Sequence, residues 1–506
     1  MNKSGARTIR LDRLDNVAVA LEDLPASSLV EGGVTLREFV PAGHKVALGH
    51  IPQSEPVRKY GQVIGFASRE IHQGSHVHLH NLEMKEVARD HAIGTECRPA
   101  NLLPSRDRAH FQGIIRPDGR VATRNYLGVL ATVNCSASVA RMIADQFRDL
   151  SPYPDLDGVV ALGHGTGCCM IPGGEAHQVL QRSLAGYARH PNFAGVVLVG
   201  LGCEVNQLEG LMQDMGLKNR PNIIGVDIQE AGGTRETIRR GVEAVNSLIP
   251  LATGVKRQPV SAEHLVLGLE CGGSDAYSGI TANPALGIVA DILVSHGGTV
   301  ILSETPEIYG AEHLLTRRAG CREAGEKLLA RIRWWEDYTA RNGGSIDNNP
   351  SPGNKAGGIT NVWEKSLGAV AKAGSTNLIE VYQYAEEIRA RGLVFMDTPG
   401  YDVVSITGMV AGGANIVCFT TGRGSVFGCK PVPVVKIASN TPLYRQMPDD
   451  IDFNCGVVMD GAMSLQEAGE AIFRMLLEAA SGVKTLSEVQ GMGDLEFVPW
   501  HLGAVT

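Results

Sequence analysis

Between residues 126 and 437 the sequence repeats one pattern: a short continuous run of Val, Ile, Leu and Ala, then a loop of glycine and polar residues, then a helical stretch. The runs fall at 126–133, 158–162, 194–199, 222–226, 265–269, 299–302, 378–382, 393–396, 415–419 and 432–437. Runs that are apolar without alternation are buried on both faces, and helical spacers between them make their neighbours parallel. The pattern therefore restricts this part of the chain to α/β units with mostly parallel sheets, Rossmann-like in their connections. Each such strand delivers the loop after it to the carboxyl edge of the sheet, where loops and helix N-termini converge on ligands.

The residues just after the runs are chemically unusual. Asn134-Cys135, Gly163-His164-Gly165-Thr166-Gly167-Cys168, Gly202-Cys203-Glu204, Glu270-Cys271-Gly272-Gly273-Ser274-Asp275, Ser303-Glu304 and Gly422-Arg423-Gly424 all lie within a few residues of a strand end. Taken singly, each is a tight turn with a buried side chain. Structural cysteines, however, sit inside apolar runs, as Cys418 does. The recurrence predicts that some of Cys135, His164, Cys168, Cys203, Glu204, Cys271, Asp275, Glu304 and Arg423 form one polar site. None of these loops has the G-x-G-x-x-G spacing of a dinucleotide site, and no P-loop or C-x-x-C pair is present.

Residues 8–84 instead read as short β runs separated by turns, a small β-rich module. Alternation along His76-Val77-His78-Leu79-His80 places three imidazoles on one face about 7 Å apart, which is either a metal-binding face or a solvated edge strand. Polar stretches at 98–110 and 249–263 read as linkers, and 311–341 as a long charged helical region. The expected division is 1–97, 98–110 as linker, 111–250 and 262–506.

Composition excludes other classes. A net charge of −8 with no concentrated Lys/Arg face argues against a nucleic-acid partner. No run reaches membrane-spanning length, the amino terminus lacks a signal-peptide core, and ten cysteines in 506 residues are too sparse for a disulfide scaffold, so a reduced, cytoplasmic protein is expected.

The loops also carry a resemblance. Gly43-His44-Lys45, Lys59-Tyr60-Gly61, His164 with Gly167-Cys168, Gly200-Leu201-Gly202-Cys203-Glu204, Cys271-Gly272-Gly273-Ser274-Asp275, Thr281-Ala282-Asn283-Pro284, Asn349-Pro350-Ser351-Pro352-Gly353-Asn354-Lys355, Lys365 and Thr421-Gly422-Arg423-Gly424 are similar to motifs of the altronate/galactarate dehydratase family. The match runs nearly end to end and implies an N-terminal SAF-type domain of the β-clip kind before the two α/β domains. His76 to Asn81 resembles the altronate-type pattern. His164-Gly165-Thr166-Gly167-Cys168 departs from it.

The resemblance implies a metal-dependent hydro-lyase that turns a 2,3-dihydroxy acid into a 2-keto-3-deoxy acid, D-altronate first, galactarate next and sulfolactate after that. A sugar-acid binding protein is the non-enzyme alternative. Iron(II) or manganese(II) is implied, either as one ion at His76 or His78, or as an iron–sulfur cluster on Cys135, Cys168 and Cys271. The expected catalytic residues are His164, Glu304, Asp275, Lys355 and Arg423, with His164 the leading acid or base. Lys59, Arg124, Ser274, Ser278, Asn283, Asn354 and Lys365 are expected substrate contacts. A small sugar acid and a second copy of the chain in a dimer are the expected partners.

Overall fold

The computed structural model describes residues 7–85 and 90–503. Residues 1–6 of the polar amino terminus, 86–89 within the expected 1–97 module and 504–506 at the end of the last expected domain lie outside the described residues.

The N-terminal module is β-rich, as its turn-punctuated runs predict. Thr8–Ile9, Val17–Ala20, Lys45–Ala47 and His76–Val77 form one antiparallel sheet, and Pro56–Lys59, Gln62–Ala67 and Leu82–Glu83 form another. Its strands are two to six residues long. Such short strands cannot bury much surface alone, and the module shares a core with the last domain: Val17, Val57, Ile64 and Val77 belong to the same buried cluster as Leu267, Leu286 and Phe395.

The next unit holds a four-stranded parallel sheet in the order Gly158–Leu162, Tyr126–Ala131, Phe193–Gly200, Ile223–Asp227. The last unit holds a seven-stranded parallel sheet in the order Leu378–Tyr382, Gly392–Met396, Thr299–Leu302, Val266–Cys271, Ile416–Thr421, Val434–Ala438, Phe453–Asn454. The apolar runs are thus strands, and each sheet reverses its order of winding once. The reversals fall between Tyr126–Ala131 and Phe193–Gly200 in the smaller sheet, and between Val266–Cys271 and Ile416–Thr421 in the larger. These are the two crevices where an open parallel sheet binds ligands.

Two details differ from the sequence expectation. The stretch 249–263 is not a free linker: the helix Thr234–Ala252 runs into it and Gln258–Ser261 pairs antiparallel with His110–Ile115. Pro250 lies in the last turn of that helix, where it removes one backbone hydrogen bond close to the helix end, and Pro259 lies on a short edge strand. The charged region 311–341 is broken into His313–Thr316 and Arg322–Arg341, because Gly320 N–H leaves the helical path to bond Leu378 O at 2.8 Å.

The module is pinned to the last domain by a buried ionic knot. Lys45 Nζ donates to Glu364 Oε2 at 2.9 Å and to Gly358 O at 2.7 Å, and Lys59 Nζ donates to Glu364 Oε1 at 2.9 Å. Thr360 adds its N–H at 2.9 Å and its hydroxyl at 2.6 Å. All three charged side chains are essentially inaccessible to solvent. Burial raises the Glu364 carboxyl, but the two ammonium groups outweigh it and hold the group far below the usual carboxylate range. Burial pulls the Lys45 ammonium down to about 8, with Glu364 opposing it. Beside the knot, Gly358 has φ +97° and its α-carbon presses against Gly43 O so closely that a β-carbon would overlap it.

Removing one partner of a buried ion pair strands the other. Glu364→Ala, which strands two lysines, is expected to cost about 3–5 kcal/mol. Urea unfolding followed together with limited proteolysis tests this: the N-terminal module should become the first segment cleaved, and an unchanged midpoint would sink the assignment of the knot as the module's anchor.

Candidate active site

At the reversal of the seven-stranded sheet, Val266–Cys271 ends in Glu270 and Cys271, and the neighbouring strand Thr299–Leu302 runs into Glu304. Glu304 has φ +65°, a left-handed backbone that costs a non-glycine residue on the order of 1–3 kcal/mol and persists only where its surroundings enforce it. The enforcing contacts are ionic. Lys372 Nζ donates to Glu304 Oε2 at 2.8 Å and to Cys271 Sγ at 2.9 Å, and the Cys271 thiol faces Glu307 Oε2 at 3.3 Å. Lys365 Nζ donates to Glu307 Oε1 at 2.5 Å and to Asn349 Oδ1 at 2.9 Å. Asp402 completes the group, its carboxylate packed on Gly272 where a β-carbon would overlap it.

Four carboxylates share two ammonium groups here, so two must hold protons. Burial and the Glu304 charge push Glu270 well above the usual range. Burial and the same charge push Asp402 up to about 7. Glu304 goes the other way: burial raises it, but Lys372 outweighs that and keeps it ionised. Burial, with Glu304 adding to it, raises the Cys271 thiol, so it stays protonated. Glu270 and Glu304 meet side chain to side chain, so the proton that Glu270 keeps lies between the two carboxyl groups. A proton held in this way marks a place where one can be exchanged. The oxygens of Glu304 and Glu307 and the Cys271 sulfur lie within 4.8 Å of one another, close enough to hold an ion. The Lys372 ammonium already supplies the positive charge there, so this set does not fit a metal.

Among His44, His76, His78 and His80 no three offer nitrogens within 4.8 Å of one another, and His76 is the one that could serve as a ligand. The strand His76–Val77 stops before His78, so the alternation predicted through His80 gives way to a turn. The rings gather nonetheless, with centroids 5.5 Å apart for His76 and His78 and 5.3 Å for His76 and His80, and His44 joins them at 5.0 Å from His76. His44 Nε2 reaches Ala356 O at 3.3 Å, so it carries the proton, and His44 Nδ1 then accepts from His76 Nε2 at 2.9 Å. That tautomer, fixed by the network, leaves His76 Nδ1 with an open lone pair oriented by a hydrogen bond on its far nitrogen, the usual state of an imidazole ligand. Burial and neighbouring positive charge lower His76 to about 3 and His78 to about 4, so both are neutral and able to ligate. His78 is less suited than expected: its Nε2 donates to Lys355 O at 3.0 Å and its Nδ1 accepts Leu79 N–H at 2.8 Å.

The loop 349–358 joins the two clusters. Its Lys355 and Ala356 carbonyls meet the histidines, Asn349 meets Glu307, and Asn354 Nδ2 donates to Ser274 O at 2.7 Å. Lys59, Ser274, Asp275, Ser278, Asn283 and Lys365, six of the expected residues, line one enclosed cavity of about 10 Å³, room for a single water molecule.

Several expected roles are corrected. His164 is buried in the four-stranded domain with Nε2 on Ala131 O at 3.0 Å and Nδ1 accepting Thr166 N–H at 3.2 Å, which leaves no nitrogen for acid–base work. Arg124 is spent on Glu488, at 2.6 and 2.7 Å, and on backbone carbonyls. Asp275 accepts from Ser278, Ser439 and Asn440 and closes a loop. Asn283 bridges Gly368 and Thr420, and Lys365 is tied to Glu307. Cys271 is buried in the last domain, whereas Cys135 and Cys168 are exposed on the four-stranded one, so the three do not share one thiol site. Arg423 is exposed and forms no ion pair among the described residues, and Lys355 is half-buried. The sequence reading missed His44 and Lys45 as site residues, and with them Glu270, Glu307, Glu364, Lys372 and Asp402. Glu270 could have been found, since a charged residue at the end of an apolar strand is itself a signal. Lys372 lies in an unremarkable helical stretch.

Comparison with known proteins decides the family. Three family models match in series: the altronate/galactarate dehydratase SAF domain over 6–85, the D-galactarate dehydratase/altronate hydrolase second domain over 113–253, and the D-galactarate/altronate dehydratase C-terminal domain over 262–505. The chain belongs to the altronate/galactarate dehydratase family. It is 35% identical to altronate dehydratase of Bacillus subtilis over 94% of this chain and 95% of that one. It is 37% identical to altronate dehydratase of Escherichia coli over 95% and 96%. It is likewise 37% identical to galactarate dehydratase (L-threo-forming) of the same organism over 96% and 95%. In this member of the family, no helix among the described residues is long and apolar enough to cross a membrane.

The Asp402 carboxyl gives a pH signature. Unfolded, it loses its proton near pH 4; folded, it keeps it to about 7. Between these values the native state binds more protons, so this group's contribution is fully present at low pH and is lost as pH rises towards 7. The wild-type melting temperature should therefore fall more steeply from pH 5 to 8 than that of Asp402→Asn. Parallel curves would show that Asp402 titrates normally.

Proposed function

We propose that this protein dehydrates a sugar acid to a 2-keto-3-deoxy acid with the help of iron(II) or manganese(II), D-altronate being the first candidate substrate and galactarate the second. The coarse activity, a carbon–oxygen lyase acting on a sugar acid, follows from family membership. The observation that carries the mechanism is the opposed pair Glu304 and Asp402: one carboxylate kept ionised, one carboxyl kept protonated, in the crevice of the parallel sheet. Groups pushed apart in this way are suited to base and acid roles.

In this reading Glu304 takes the proton from the carbon beside the substrate carboxylate, and Asp402 gives its proton to the leaving hydroxyl, which departs as water. The enol that results rearranges to the keto acid. Lys372 keeps Glu304 charged before the transfer, and Glu270 supplies a second proton store. Arg423 offers a planar two-donor clamp for the substrate carboxylate, with Lys355 as a second cation. His76, with His80 beside it and His44 fixing its tautomer, would hold the metal, which would supply positive charge to the site. The histidine pattern His76 to Asn81 supports D-altronate ahead of galactarate.

The decisive assay follows keto-acid formation from altronate, galactarate and sulfolactate with iron(II) or manganese(II), before and after chelation. Turnover of at least one sugar acid, abolished by chelation and restored by metal, is expected. Glu304→Gln should lower kcat by about 10²–10⁴, and kcat should fall as pH rises through about 7 in wild type, with that limb lost in Asp402→Asn. Glu304→Gln with near-normal kcat would remove Glu304 as the base. Inactivity on all three acids would overturn the substrate class.

A further inference from the structure

The four-stranded domain carries chemistry that this mechanism does not use. Among the described residues six cysteines are exposed, and four of them lie at the carboxyl edge of that one sheet, Cys168, Cys169 and Cys203 in loops and Cys135 in the first turn of a helix. Exposed thiols are liabilities in a reduced protein unless they bind something. The loops come from three adjacent strands, Gly158–Leu162, Tyr126–Ala131 and Phe193–Gly200, and flank the point where the sheet reverses its winding.

The loops are locked together. Asn134 N–H donates to Thr166 O at 2.9 Å, Asn206 N–H to Gly167 O at 3.1 Å, and Asn206 Nδ2 to Thr132 O at 3.0 Å. Asn206 is 1% exposed, yet its Oδ1 has no partner among the described residues, an unmet acceptor at the base of the loops. Cys169 is held at φ +53°, a conformation that strains a β-carbon, with its sulfur 3.8 Å from that of Cys168. Cys135 sits in the first turn of the helix Asn134–Ala144. Cys203 accepts a hydrogen bond from Gln229 Nε2 at 3.3 Å.

We infer that Cys135, Cys203 and the Cys168–Cys169 pair bind an iron–sulfur cluster. Thiolates from three separate strand ends suit a cluster, whose ligands stand farther apart than those of one ion. No three of these sulfurs lie within 4.8 Å of one another, wider than a single tetrahedral ion allows. Cys271 is not a ligand: it is buried in the other domain beside Lys372. The inference rests on the thiols and not on the sugar-acid reading, because the test needs no substrate.

The full chain, purified and reconstituted without oxygen using iron(III), a thiol reductant and sulfide, should acquire broad visible absorption with iron and acid-labile sulfide in equal amounts. Cys135→Ser, Cys203→Ser and the double variant Cys168→Ser with Cys169→Ser should each lose most of both, while Cys321→Ser, an exposed thiol elsewhere, should keep them. All variants should retain the wild-type circular dichroism, since the replaced groups are exposed. Wild type that takes up no sulfide, that takes up zinc(II) alone, or whose three cysteine variants retain the absorption would overturn the assignment.

Discussion

The arrangement depends on one carboxylate. Glu364 lies between two buried lysines of the N-terminal module and receives, besides them, the backbone and hydroxyl of Thr360. A module of strands this short has little apolar surface of its own, so its position is set by the core it shares with the last domain and by this knot. Positioning matters because the module brings the imidazoles. With Lys45 fixed on Gly358 O, His78 falls against the Lys355 carbonyl and His44 against that of Ala356, which sets the tautomer of His44 and through it that of His76.

The same economy of charge runs through the crevice of the large sheet. Four carboxylates and two ammonium groups cannot all be ionised in a dry interior, since an unpaired buried charge is far costlier than a proton bound above its ordinary pKa. The cluster resolves this by placing its protons unevenly. Lys372 keeps Glu304 ionised, Lys365 donates to Glu307, and Glu270 and Asp402 take up protons. The left-handed backbone of Glu304 is the strain that goes with this arrangement, and the proton between Glu270 and Glu304 is what the arrangement leaves available.

How much of this is legible without coordinates varies with the interaction. Strand positions are legible, because a continuous Val/Ile/Leu run has one stable use in an α/β protein. The cavity lined by Lys59, Ser274, Asp275, Ser278, Asn283 and Lys365 is also legible as a set of polar loop residues, although only Asp275 and Ser278 bond each other and the rest are tied to residues outside the set. The expectation for His164 fails for a local reason: a loop histidine with glycine on either side reads as available, and only the fold shows both its nitrogens bonded to the backbone. Arg124 fails for a long-range one, its partner Glu488 lying 364 residues away.

Residue order along the chain is enough for the α/β class, the β-rich start, the carboxyl-edge location of the polar loops and, through the long motifs, the family. These are properties of short segments, set by periodicity, turn chemistry and local composition. Which ionisable groups meet is settled only by folding. Lys372 is brought to Glu304 and Cys271, Asp402 to the glycine after Cys271, and His44 to His76, while Cys271 is kept apart from the exposed cysteines of the neighbouring domain. Protonation depends on burial and on the charges within a few ångströms, and neither exists until the chain has folded.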